Sequence, residues 1–135
     1  MTRRLAFAFA CLAAPFAAPA AAQEGPIQGV IQGQIDAYLA EDVETAFAYA
    51  SPMIKGLFGS PARFGMMVQQ GYPMVWKPTA VEYVDSARQG GVAFEKVLVR
   101  DELGRAHMLM YQMIETGEGW QINGVQLLDE LGVGA

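Results

Sequence analysis

The spacing of apolar residues changes once along the chain, near residue 75. Before that point, apolar side chains recur every three or four residues, which is the period of an amphipathic helix. The clearest stripe consists of Ile27, Val30, Ile31, Ile35, Tyr38 and Leu39. After residue 75 the period is two, which is typical of strands. Helices followed by strands predict an α+β fold.

Residues with capping preferences indicate where the helices begin and end. Pro26 suits the first turn of the first helix, where its missing N–H costs nothing. Asp42 predicts the N-cap of a second, short helix. Ser51 and Ser60 each precede a proline, which combines a capping hydroxyl with a first-turn proline. Gly71 predicts the end of the last helix.

Four strands are predicted after Trp76, and glycines lie at each reversal between them. The strands run over Thr79–Arg88, Val92–Asp101, Arg105–Thr116 and Trp120–Leu128. Short connections with glycine between β-branched and aromatic runs are typical of antiparallel hairpins. We therefore expect N-terminal helices packed on a four-stranded antiparallel meander.

The third predicted strand is apolar on both faces, which indicates a central position in the sheet. Alternation separates its side chains into two sets, with His107, Leu109, Tyr111 and Met113 on one face and Met108, Met110, Gln112 and Ile114 on the other. The helices can cover one face. Since soluble monomers rarely expose several hundred Å² of contiguous apolar surface, we expect a second subunit on the outer face, giving a homodimer.

The first 22 residues have the pattern of a cleavable signal peptide. Arg3 and Arg4 form a short basic start, and the apolar run Leu5–Ala18 follows. Small residues at Ala20 and Ala22 then precede Gln23 in the arrangement that signal peptidases recognise. We therefore expect export to the periplasm or the medium, with residues 23–135 forming one α+β domain.

Prolines argue against a retained membrane anchor. Pro15 and Pro19 interrupt the apolar run, whereas a spanning helix needs about 20 continuous apolar residues. We expect no stable membrane insertion after cleavage.

Removal of that segment makes the protein more acidic and leaves it without cysteine. The loss of Arg3 and Arg4 takes the formal net charge from −5 to −7, and Cys11 is lost with them. This net negative charge argues against nucleic-acid binding, because the phosphate backbone is also negatively charged. Disulfides, thiolate metal sites and a cysteine nucleophile are excluded from residues 23–135. Nucleotide-binding and zinc-protease motifs are absent as well, so we expect no cofactor and no metal.

Turn and cap segments across residues 23–135 carry a family resemblance. They are 31–38 (IQGQIDAY), 46–52 (AFAYASP), 58–61 (FGSP), 71–73 (GYP), 76–78 (WKP), 104–106 (GRA) and 119–122 (GWQI). With these segments the chain resembles the small exported bacterial proteins of domain-of-unknown-function family 4864. The order of helices and strands also resembles the nuclear-transport-factor-like, or cystatin-like, α+β roll. That resemblance implies a sheet curved around the helices, often with a ligand pocket inside.

Aromatic and methionine side chains on the facing elements predict the wall of such a pocket. The candidates are Phe47, Phe64, Met67, Trp76, Tyr83, Phe94, Tyr111 and Trp120. Two interpretations remain open, since these residues form either a ligand-binding wall or an ordinary packed core. The function that we expect is non-catalytic binding of a small apolar ligand or of an envelope protein.

Two further functions are carried as alternatives. A ketosteroid-isomerase-like enzyme would use His107 or a carboxylate as the base, and Glu82, Asp85 and Glu95 are the candidate carboxylates. A copper-binding protein would use thioethers such as Met108 and Met110 beside His107. Strand alternation argues against the copper site, because it points His107 away from both methionines.

Overall fold

A computed structural model describes the backbone of residues 18–128 and the side chains of residues 25–128. Its helices are α1 (Ala18–Leu39), α2 (Val43–Ala48), α3 (Pro52–Phe58), α4 (Pro61–Gly71) and α5 (Pro73–Trp76). Its strands are β1 (Ala80–Gln89), β2 (Val92–Arg100), β3 (Ala106–Thr116) and β4 (Gly119–Leu127). The α+β class and the four predicted strands are confirmed. No helix within the described residues is long and apolar enough to cross a bilayer.

Three predicted caps are confirmed by their hydrogen bonds. The Asp42 carboxylate accepts from the backbone N–H of Thr45, and the hydroxyls of Ser51 and Ser60 accept from residues three positions further on. Each cap satisfies an N–H that the first helical turn would otherwise leave unpaired. Local sequence therefore sets the starts of α2, α3 and α4.

The predicted start of the first helix is wrong. Pro26 lies inside α1, which already begins at Ala18. Alanine has the highest helix propensity, and the alanine-rich residues 18–22 extend the helix beyond the proline. The short helix α5 was not predicted either, because the Tyr72-Pro73 pair indicates extended backbone. Tyr72 does leave the helical region, but Pro73 then begins a new turn.

The sheet is an antiparallel meander in the order β1-β2-β3-β4. Ala93, Glu95, Val97 and Val99 of β2 and Leu109, Tyr111 and Met113 of β3 are fully buried and define the inner face, where the helices lie. The prediction that β3 is central is therefore confirmed. The outer face carries the alternate residues, among them Leu98, Met108, Met110 and Ile114, which are half-buried.

The apolar stripe of α1 packs on the inner face. Ile31 and Ile35 are fully buried, whereas Leu39, at the end of the predicted stripe, is 45% exposed. Two side-chain hydrogen bonds tie α1 to the sheet: the Tyr83 hydroxyl donates to Gln32 Oε1 at 2.8 Å, and Gln28 Nε2 donates to Glu95 Oε2 at 3.3 Å. Burial of an isoleucine contributes about 1.5–3 kcal/mol, so the stripe dominates this contact.

Residues 49–51, which we call the strap, join the helices to the edge of the sheet. Ser51 N donates to the carbonyl of Ile122 at 2.8 Å, and Ile122 N donates to the carbonyl of Tyr49 at 2.9 Å. The Ser51 hydroxyl also donates to Asn123 Oδ1 at 2.7 Å, and Asn123 Nδ2 donates to Gln112 Oε1 at 3.0 Å. The strap thus connects α2 to α3 and pairs with β4 on the way.

Two glycines allow helices to approach their neighbours closely. A Cβ at Gly33 of α1 would overlap the ring end of Tyr49, and one at Gly65 of α4 would lie 2.5 Å from Val43 Cγ1 and 3.2 Å from its Cβ. Valine is short and β-branched, so it cannot move away from the added methyl group without a shift of α2. Gly65 therefore sets the distance between α2 and α4.

Substitution of Gly65 tests this close contact. We expect Gly65→Ala to destabilise the protein by about 1–3 kcal/mol, because the overlap with Val43 exceeds the gain in helix propensity. Gly56→Ala in α3 is the matched control, since a Cβ there meets no atom within 4 Å. It should stabilise the protein by about 0.5–1 kcal/mol. Urea denaturation of both variants measures the difference, and equal stabilities would contradict this packing.

Candidate functional site

A cavity of about 260 Å³ lies between the helices α3 and α4 and the sheet strands β3 and β4. The helices and the segments between them contribute Gln34, Tyr38, Ala50, Ile54, Leu57, Phe58, Phe64, Met67, Val68, Tyr72 and Val75 to its wall. The sheet contributes Tyr111, Ile122, Gly124 and Val125. The wall is mostly apolar and contains no acidic or basic side chain.

The cavity reaches the surface at α3. Leu57 belongs to the wall and is nevertheless 69% exposed, and no residue of α3 is fully buried. By contrast, Tyr38 and Tyr111 also belong to the wall but are only 2% and 1% exposed. The cavity is therefore a pocket with an exposed side at α3 and buried tyrosines elsewhere in its wall.

Two of the four polar side chains of the wall donate hydrogen bonds to backbone carbonyls. Gln34 Nε2 donates to the carbonyl of Ala46 at 3.0 Å, and the Tyr72 hydroxyl donates to the carbonyl of Val125 at 3.1 Å. The Tyr111 hydroxyl is buried without a hydrogen-bond partner among the described residues. Burial raises the pKa values of Tyr38 and Tyr111 above the usual range, and the proximity of other tyrosines raises them further. Both phenols therefore stay protonated.

Three of the eight predicted pocket residues lie in the cavity wall: Phe64, Met67 and Tyr111. Two others pack behind the wall. Phe47 contacts Phe64 at a ring-centroid distance of 5.4 Å, and Trp76 contacts Tyr38 at 5.6 Å.

The remaining three predicted residues lie away from the cavity. Tyr83 is held by α1 through its bond to Gln32, and the Arg88 guanidinium lies 4.9 Å from the centroid of the Trp120 ring. Phe94 belongs to the outer face, because its neighbours Ala93 and Glu95 are the buried residues of β2. The structure therefore divides the predicted set between the cavity, the core beside it and the outer face.

Sequence reasoning missed the contribution of α3 to the wall. Ile54, Leu57 and Phe58 recur at helical spacing after the Ser51 cap, so the sequence did identify them as one apolar cluster. What the spacing did not indicate is that this cluster faces a cavity instead of packing directly on the sheet. Val68 and Val125 were missed for the same reason.

The four candidate catalytic residues do not converge. Glu82 and Asp85 pair with Leu98 and Lys96 and so lie on the outer face. Glu95 and His107 are on the inner face, but they pair with Tyr111 and Val99. Tyr111 is four residues from His107 along β3, about 13 Å at 3.3 Å per residue. No carboxylate of the predicted set therefore lies beside His107.

His107 instead contacts Asp101, in the turn between β2 and β3. Its Nε2 lies 2.8 Å from Asp101 Oδ2, while Oδ1 accepts from the backbone N–H groups of Leu103 and Arg105, each at 2.9 Å. The hydrogen bond with His107 is the main cause that lowers the pKa of Asp101 to about 2, and the two N–H groups lower it further. The arrangement fixes the turn.

The proposed copper ligands are likewise dispersed. Met108 and Met110 lie on the outer face of the sheet, whereas His107 lies on the inner face. Within residues 25–128, no group of three or more His, Cys, Asp or Glu side chains has the arrangement of a metal site. Cys11 and the predicted signal peptide up to residue 17 fall outside the described residues.

Acid titration tests the Asp101 contact. A folded-state pKa near 2, below the value of 3.8 for a free side chain, means that the carboxylate stabilises the fold above pH 4. This contribution is lost as the pH falls from about 4 to 2. We expect the melting temperature of Asp101→Asn to depend less on pH over that interval than that of the wild type. Glu102→Gln controls for net charge, and parallel curves for wild type and Asp101→Asn would contradict the contact.

Comparisons with known proteins support the fold and give the family. The solution structure of a SEC-C motif-containing protein from Rhodopseudomonas palustris is similar, with a TM-score of 0.59 and 13% sequence identity over 81% of this chain and 86% of that one. At this identity the likeness concerns the fold alone. No curated protein matches the sequence. The model of the domain of unknown function DUF4864 matches residues 20–135. The chain therefore belongs to the DUF4864 family.

Proposed function

We propose that this protein binds a small apolar molecule, without catalysis, in the cavity between α3, α4 and the sheet. The observation that carries the proposal is a cavity of about 260 Å³ with an uncharged wall and an opening at the exposed Leu57. Ligand sites are typically concave and mostly apolar, with a few polar groups. This site has those properties.

The size of the cavity favours a ligand over imperfect packing. Protein cores contain few voids larger than a water molecule, and an engineered apolar cavity of about 150 Å³ is large enough to bind benzene. A fully enclosed cavity of 260 Å³ would cost on the order of 6 kcal/mol, at about 24 cal/mol per Å³. This is an upper limit, since the cavity opens at α3. A cost of that size in a domain with 5–15 kcal/mol of net stability is offset when a ligand fills the space.

The predicted cystatin-like, or nuclear-transport-factor-like, roll is compatible with this proposal. Helices on one face of a four-stranded antiparallel sheet are consistent with a cystatin-like, or nuclear-transport-factor-like, roll, in which the pocket lies between the two layers. Because one fold hosts many functions, the pocket and not the fold supports ligand binding. The isomerase-like alternative has less support, since Glu82, Asp85, Glu95 and His107 are all absent from the cavity wall.

Export and homodimer formation are two further parts of this proposal. The signal-peptide pattern of residues 1–22 supports export to the periplasm or the medium. The half-buried apolar side chains of the outer face support a homodimer, for which Met108 and Met110 would lie in the interface. Neither is required for ligand binding, because the cavity lies on the inner side of the sheet.

A pair of tryptophan substitutions tests the binding site. Met67 lies in the cavity wall, whereas its neighbour Met66 is 56% exposed and does not. Naphthalene, an uncharged probe with ten carbon atoms, should bind to the wild type in equilibrium dialysis. We expect Met67→Trp to weaken this binding at least tenfold, because the larger side chain fills the cavity, and Met66→Trp to leave it unchanged.

Circular dichroism of both variants verifies that they fold before binding is compared. Absence of naphthalene binding to the wild type, or an equal loss in both tryptophan variants, would contradict the proposed site.

A further inference from the structure

One side of the helix α3 is apolar although it is exposed to solvent. Met53 and Leu57 are 54% and 69% exposed. Because they are four residues apart, they lie on the same side of the helix, one turn from each other. Gly56 borders that side, is exposed as well, and has room for a Cβ that would meet no atom within 4 Å. We call the surface formed by Met53, Gly56 and Leu57 the α3 face.

The α3 face borders the opening of the cavity. Leu57 belongs to both, because it lines the cavity and is exposed, whereas Met53 is absent from the cavity wall. Single exposed apolar side chains are common on soluble proteins, but adjacent ones mark contacts with a protein, a membrane or a ligand. The α3 face is therefore a candidate docking surface at the entrance of an apolar pocket.

Positive charge is concentrated in the same part of the chain. None of the 14 acidic residues lies within residues 45–81, the segment that contains α3, α4 and α5. This segment carries Lys55 in α3, Arg63 in the first turn of α4, and Lys77. Lys77 pairs with Glu41, whereas no salt bridge of the described residues involves Lys55 or Arg63. A protein with a net charge of −5 thus has uncompensated positive charge beside the α3 face.

An anionic phospholipid bilayer combines the two properties that match this surface. Its phosphates attract lysine and arginine side chains, and its interior accepts apolar ones. At an ionic strength of about 0.15 M, charges are largely screened beyond about 8 Å, so acidic residues further from the bilayer have little influence on the contact. A bilayer also dissolves apolar molecules that are poorly soluble in water, which makes it a source of the proposed ligand.

We propose that the α3 face docks on the surface of an anionic phospholipid bilayer, and that the ligand passes between the bilayer and the cavity at Leu57. This inference rests on the proposed binding function and adds the source of the ligand to it. Met53 and Leu57 enter the lipid interface, while the long side chains of Lys55 and Arg63 extend from α3 and α4 to the lipid phosphates. The contact is reversible and involves no insertion, since a spanning helix needs about 20 apolar residues.

Co-sedimentation with two kinds of lipid vesicle tests the contribution of charge. One vesicle is an equal mixture of phosphatidylcholine and phosphatidylglycerol, and the other is phosphatidylcholine alone. We expect the wild type to bind the anionic vesicle about tenfold more tightly, because two basic side chains lie near the surface, and the double variant Lys55→Gln, Arg63→Gln to lose this difference. Equal binding of the wild type to both vesicles would overturn the proposal.

A matched pair of substitutions tests the position of the docking surface. Met53→Glu and Leu103→Glu each replace an exposed apolar side chain by a negative one, and Leu103 is 76% exposed in the turn beside Asp101 and Glu102. Met53 lies in the first turn of α3, where a glutamate is favourable, so the variant should fold. We expect Met53→Glu to weaken binding to the anionic vesicle at least tenfold, because it loses an apolar contact and adds repulsion. Leu103→Glu should leave this binding unchanged, and an equal loss in both variants would contradict the docking surface.

Naphthalene binding without vesicles separates this proposal from the function of the cavity. Met53 is absent from the wall, so Met53→Glu should bind naphthalene as the wild type does. If the wild type binds naphthalene but not the anionic vesicle, the docking proposal is wrong and the binding function stands. If the wild type binds no naphthalene, the proposed function fails and the proposed route of the ligand fails with it.

Sedimentation velocity of the free protein distinguishes a lipid surface from a second copy of the chain. We expect Met53→Glu to have the same oligomeric state as the wild type. If the substitution instead converts a dimer into a monomer, the α3 face is an interface between two copies, and the lipid proposal is wrong.

Discussion

The pairing of the strap, residues 49–51, with β4 is the contact on which the cavity depends. Two backbone hydrogen bonds join Tyr49 and Ser51 to Ile122, at 2.9 and 2.8 Å. They fix the point at which the chain crosses from α2 to α3, and therefore the distance at which α3 and α4 stand from the sheet. The strap also covers part of β4, whose backbone groups would otherwise form an exposed edge.

Ser51 combines two functions in this contact. It is fully buried, and its hydroxyl caps α3 by accepting from Ile54 N at 3.3 Å while it donates to Asn123 Oδ1. Asn123 lies where β4 bulges relative to β3, between the pairs formed by Gln112 and Met113. A bulge bends the strand locally, so the serine anchors the start of α3 at a bend in the sheet. This explains the open side of the cavity, because α3 is held at its N-cap, Ser51, and contributes no buried residue of its own.

Most features with local causes were predicted from the sequence, although the start of α1 and the short helix α5 were not, and features with tertiary causes were missed. The caps at Asp42, Ser51 and Ser60 and the four strands depend on neighbouring residues, so the pattern alone indicates them. The cavity wall depends on which faces meet. Phe94 and Glu95 illustrate the difficulty: a charged residue next to an aromatic one predicts the glutamate outside, whereas Glu95 is 1% exposed under α1 and Phe94 is on the outer face. The hydrogen bond from Gln28 offsets part of the cost of burying Glu95, and nothing in the local sequence reveals this contact.

Native-state hydrogen exchange tests the central claim most directly, since it reports how firmly each amide is held. If the strap anchors the helices to the sheet, the amides of Ser51 and Ile122 should exchange only through global unfolding, as slowly as that of Leu109 in the centre of the sheet. The amide of Leu57, in α3, should exchange much faster through local opening. Exchange of the Ser51 and Ile122 amides at the rate of Leu57 would show that the strap opens with α3, and would contradict the account.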